Sequence, residues 1–162
     1  MRFFLILILA SFFVACDSQP TIEEAKTNFY KNNHYFNELA ELSCNLGKKK
    51  QAFSYTDSSY SYSPKKIKEH DRIGELDILL KEIGGYVVNY KFTESNGCSL
   101  VVGYYVRGFA GSGVKYNYSF NKPVVIPYSE NEHNFDMIRK RNGPIAFDLQ
   151  LYDDWFLSYS QN

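Results

Sequence analysis

The sequence predicts an α+β domain, helices first and an antiparallel sheet after them. Apolar residues recur at helical spacing as far as Ile83, and from Tyr86 onward the period falls to two. Clusters of Gly, Asn, Asp and Ser then punctuate the chain at short intervals, as turns between strands do. Helices followed by a run of strands imply a long N-terminal helix and a second short helix packed on an antiparallel β-meander of five or six strands.

The first helix is predicted from Thr21. Its side chain can cap, and Glu24 three positions on completes a capping box. Ile22, Ala25, Phe29, Phe36, Leu39 and Leu42 follow near helical spacing, so the helix should reach about Leu46, with Gly47 as its stop. Phe29, Phe36 and Leu39 are assigned to the core. The Ser- and Tyr-rich stretch Ser54 to Pro64 has no helical period and reads as an irregular loop. Loops carry function more often than scaffolds do, which makes Tyr55, Tyr60 and Tyr62 candidate binding residues. The plainer alternative is that their rings pack down onto the domain. The second helix runs from Ile73 to Ile83, with Leu76, Leu79, Leu80 and Ile83 as its apolar stripe and Gly84-Gly85 as its end.

Strands follow. Tyr86, Val88, Tyr90 and Phe92 alternate with Val87, Asn89 and Lys91, and a turn at Thr93–Gly97 leads into Cys98–Arg107. Val114, Tyr116, Tyr118 and Phe120 form a half-buried strand with one wet face. Val124–Ile126, between Pro123 and Pro127, is a candidate short edge strand. A short helix is expected around Asn134–Lys140. Ile145, Phe147, Leu149 and Leu151 then alternate, Asp153-Asp154 turns the chain, and Trp155–Tyr159 returns it.

The N-terminus carries a different signal. Arg2 precedes twelve uncharged residues, Phe3 to Val14. As a helix that run would span roughly 18 Å, short of the ~20 apolar residues a bilayer core requires. A basic start, a short apolar core and a small residue at its boundary describe an export signal. Val14-Ala15-Cys16, followed at once by Asp17-Ser18-Gln19-Pro20, resembles the lipobox of bacterial lipoproteins, with Phe13 where that family prefers an aliphatic residue. The resemblance covers residues 1–16. It implies that Cys16 receives a diacylglyceryl group on its thiol and that the leader is cut before it. Residues 1–15 would be the signal peptide, 16–20 the lipidated Cys and a short tether, and 21–162 one domain at the surface of a bacterial cell membrane, facing the periplasm or the cell exterior. One acyl chain binds a bilayer marginally, whereas two anchor stably.

Lys+Arg and Asp+Glu both number 18, so no basic excess exists to attract nucleic acid. With Cys16 assigned to lipid, Cys44 and Cys98 remain. They either pair across 54 residues or pack as separate buried thiols, and an oxidising compartment favours the pair.

No catalytic constellation, metal motif or cofactor motif is legible. Ala110 to Val114 lacks the outer glycines of a nucleophile elbow, and His34, His70 and His133 are far apart. Glu130, Glu132 and His133 read as a solvated acidic loop, and Asp153-Asp154 as a turn. The expected function is that of a membrane-anchored binding module with an envelope protein as partner, such as an inhibitor or an immunity or exclusion protein. The first alternative is a small-ligand or glycan-binding module that stacks its ligand on Tyr55, Tyr60, Tyr62 or the Tyr-rich strands. The second is a cell-wall hydrolase.

Overall fold

A computed structural model of the chain describes residues 19–48, 58–66, 68, 72–108, 113–141 and 143–162. The domain is α+β, with five helices and one six-stranded antiparallel sheet among the described residues. The helices are α1 (Ile22–Lys31), α2 (Asn33–Lys48), α3 (Gly74–Glu82), α4 (Glu130–His133) and α5 (Phe135–Lys140). The strands are β1 (Ser59–Tyr62), β2 (Val87–Thr93), β3 (Gly97–Arg107), β4 (Val114–Phe120), β5 (Ile145–Tyr152) and β6 (Trp155–Gln161).

The predicted capping box at Thr21 and Glu24 is present, but the single long helix is not. The chain turns at Asn32 and restarts at Asn33, giving two shorter helices. The Asn32 N–H is shared between the carbonyls of Asn28 and Phe29, and the Asn32 amide donates to Asn28 Oδ1. Gly47 does not stop a helix either. It lies within α2 against the Tyr90 ring, where a Cβ would come within 2.2 Å of Cζ.

The sheet order β1-β2-β3-β4-β6-β5 departs from a pure meander. β6 is inserted between β4 and β5, so the chain between those two must cross a strand. That crossover, residues 121–144, carries α4 and α5. Val124–Ile126 is not a strand. The crossover instead touches β5 at one parallel bridge, Pro127 to Asp148. A further correction concerns Tyr60 and Tyr62. They lie not on a loop but in β1, paired with Tyr90 and Val88 across to β2. Both rings are buried, and Tyr60 stacks on Tyr90 at 5.0 Å. Tyr55 lies outside the described residues.

Helices α1 to α3 cover one face of the sheet, and the core forms between them. Phe29, Phe36, Tyr118 and Trp155 make a continuous aromatic cluster with centroid separations of 4.6–6.1 Å. The α3 stripe is buried as its spacing predicts. Three buried tyrosines peg the helices to the sheet. Tyr118 donates its hydroxyl to the Ala25 carbonyl in α1 (2.9 Å), Tyr60 to the Ser43 carbonyl in α2 (3.0 Å) and Tyr62 to Asp77 Oδ1 in α3 (2.6 Å). Cys44 in α2 is disulfide-bonded to Cys98 in β3. Closing that loop of 54 residues is worth about 4 kcal/mol in the chain-entropy model.

The opposite face of the sheet holds a buried carboxylate. Asp148 in β5 accepts from Lys122 Nζ, from the Ser158 hydroxyl (2.6 Å) and from the Ile126 N–H (2.7 Å). Its side chain is only 1% exposed, because the crossover lies over it. The wet face predicted here is therefore dry around Asp148. A carboxylate can be buried at that position only because three donors meet it.

Gly47→Ala tests the close approach of α2 to β2. Alanine is the better helix former by about 1 kcal/mol, but Tyr90 is buried on Tyr60 and cannot swing aside. Overpacking should win, lowering unfolding free energy by roughly 1–3 kcal/mol in chemical denaturation. A variant as stable as the wild type would contradict the packing described.

Candidate functional site

The crossover builds a cleft at the end of the sheet nearest residue 19. Its floor is the start of β4 and the end of β6, where Tyr116 and Tyr159 stand side by side with ring centroids 5.1 Å apart. One wall is the entry to α1, with Pro20 and Ile22. The other is the crossover, with Tyr128 and Ile138. The volume is about 700 Å³, within the range of small-molecule sites.

Local sequence explains each wall. The Thr21–Glu24 capping box fixes where the chain enters α1. Asn134 caps α5 by accepting the Met137 N–H (3.0 Å), and that short helix turns Ile138 inward. Behind Tyr159 an aromatic stack supports the floor. Phe147 stacks on Tyr159 at 5.0 Å, and His133 on Phe147 at 4.7 Å. His133 is therefore no member of a solvated acidic loop. It is buried, and its Nδ1 accepts the Ser129 N–H at 2.9 Å. No group of three or more potential metal ligands exists among the described residues.

Gln19, Thr21, Asn134 and Gln161 bring polar side chains to the cleft beside the tyrosines. The Tyr159 hydroxyl donates to Gln161 Oε1 at 2.6 Å. Burial pushes its pKa up to about 12, the neighbouring Tyr116 adds to the rise, and the Gln19 side chain pulls the other way. Tyr116 is raised too, again mainly by burial, with Gln19 opposing. Both are therefore neutral hydroxyls at ordinary pH, suited to donating hydrogen bonds and unsuited to acting as bases. Glu23 and Glu130 stand on the rim.

Of the residues singled out from sequence, Cys16 and Tyr55 fall outside the described residues. Cys44 and Cys98 lie at the other end of the sheet, bonded to each other. Tyr60 and Tyr62 are core. Tyr116 and Tyr159 were legible only as strand residues, and Tyr128 and Ile138 were not singled out. The sequence separation of these four hides that the crossover brings them together. No helix among the described residues is long and apolar enough to cross a membrane. No family model, no curated protein and no solved structure matches the chain.

The buried tyrosines set a direction for pH dependence. Tyr60, Tyr62 and Tyr159 have folded pKa values raised to about 12, chiefly by burial, against an ordinary value near 10. Above pH 10 the unfolded chain releases protons that the folded chain retains, so stability falls as pH rises. The contribution is intact below pH 10 and is lost between about 10 and 12, at ~1.4 kcal/mol per pH unit for each such tyrosine. Tyrosinate absorbance and far-UV circular dichroism, followed together through an alkaline titration, should show late ionisation coinciding with unfolding. Full ionisation near pH 10 with the fold intact would contradict the burial described.

Proposed function

We propose that this chain is a lipid-anchored binding module of the bacterial envelope, tethered through Cys16, and that the tyrosine-floored cleft is its ligand site. The observation that carries the reading is where the cleft lies. Gln19 and Pro20 line it, and Gln19 is three residues from Cys16. Three residues span at most ~10 Å, so a lipid on Cys16 would hold the cleft at the membrane surface. The Cys44–Cys98 disulfide suits an exported, oxidising setting. A floor of tyrosine rings flanked by hydroxyls and amides suits recognition of a small molecule, and tyrosines held neutral by burial suit binding better than proton transfer.

A second reading keeps the anchor and makes the partner an envelope protein. It is favoured by the run Val124-Val125-Ile126, exposed on the crossover with Val124 at 72%. Apolar side chains in sequence on a surface are a common mark of protein contact.

The anchor is tested by intact mass of protein purified from membranes, beside a Cys16→Ala variant. The native chain should begin at Cys16 and carry acyl mass, and the variant should lose both the acyl mass and the cut before residue 16. A native chain that begins elsewhere without lipid would overturn the anchored reading.

A further inference from the structure

We infer that the cleft takes an amphiphile with an apolar tail and a cationic head, drawn from the bilayer surface. The inference rests on the cleft being the ligand site. It deepens that reading by naming the class of ligand.

The tail follows from the interior. Ile22, Val114 and Ile138 line the cleft with Tyr116 and Tyr159, and among the described residues no Lys, Arg or His lines it. The head follows from the rim. Glu23 and Glu130 stand there, and Glu130 has no ion-pair partner among the described residues. The half-buried Tyr128 belongs to the same rim, and a tyrosine face attracts a cation. Three cations close to the lining residues do not reverse this pattern. Lys26 is bonded to Glu23 at 2.8 Å, and Arg107 and Lys115 line an adjoining, smaller depression that shares only Gly113 and Asn162 with the cleft. The positive end of α1 could have favoured an anion. It is already answered by Glu23 and Glu24, and the Glu24 carboxylate is tied to the Thr21 N–H at 2.7 Å. An anionic head would thus meet like charge at the rim and no cationic side chain among the described lining residues below it.

Three probes with the same eight-carbon tail separate the heads: octyltrimethylammonium, octyl glucoside and octyl sulfate, each below its micelle concentration. Calorimetry on the mature Cys16→Ser chain should show the ammonium binding about tenfold tighter than the sulfate, with the glucoside between. Glu130→Gln, at an exposed position, should weaken the ammonium several-fold and leave the glucoside unchanged. Val114→Trp, at a half-buried position on the cleft floor, should abolish binding of all three, with circular dichroism confirming its fold. Equal or tighter binding of the sulfate, still blocked by Val114→Trp, would overturn the cationic class and leave the cleft as a ligand site. Binding of none of the three would overturn both. Binding by the Cys16→Ser chain but not by native lipidated protein would make the chain's own acyl group the occupant, and would overturn the external ligand.

Discussion

A phenolic hydroxyl carried into a core must find an acceptor, and in this protein that requirement governs how the helices meet the sheet. Tyr60 and Tyr62 rise from β1 and Tyr118 from β4, and each bonds a different helix. A carbonyl has two lone pairs, so Ala25 and Ser43 can accept a tyrosine while still serving the helical ladder. An unmet hydroxyl in the same place would cost about 1–3 kcal/mol, which makes misplacement of any helix expensive. Asn28 extends the arrangement. Its amide donates to the Tyr118 hydroxyl and to the Ile83 carbonyl at the end of α3, so α1, α3 and β4 are fixed by one side chain.

The second constraint is topological. Because β6 lies between β4 and β5, the chain must cross a strand, and the crossing segment needs an attachment of its own. Asp148 supplies it. Lys122 at the start of the crossover and the Ile126 N–H within it converge on that one carboxylate, with Ser158 closing the group from β6. Thus secured at its root, the crossover reaches the helix-bearing side, where Tyr128 meets Phe147 and α5 places Ile138 over the sheet end. The cleft is a product of this route. A pure meander would leave the ends of β4 and β6 without the wall that encloses them.

Much of the fold was legible because its cues are local. The capping box at Thr21, the α3 stripe and the period-two runs of β2, β4 and β5 all state their structure within a few residues. The break at Asn32 was not legible, since apolar spacing continues through it. β1 was missed because Ser59-Tyr-Ser-Tyr62 is short and polar in composition. Its alternation was the available signal, but a four-residue strand forms only when β2 is there to pair with it. Gly47 was misread for a related reason, as its cause is the distant Tyr90 ring. The cleft was invisible in sequence because strand order is not a local property. Asp148 sits at a polar position of an alternating strand, and nothing nearby in sequence says that Lys122 will cover it.

These parts combine into one account, in which a tyrosine-pegged domain carries its cleft at the end from which a lipidated Cys16 would extend. The turns at 94–96 and 153–154 lie at the opposite end of the sheet. Amide hydrogen exchange on the native protein in liposomes, compared with the mature Cys16→Ser chain in solution, tests that orientation most directly. The account predicts added protection at residues 19–23, 113–116 and 159–162, and none at the two turns. Protection at the turns instead, or no difference at either end, would contradict it.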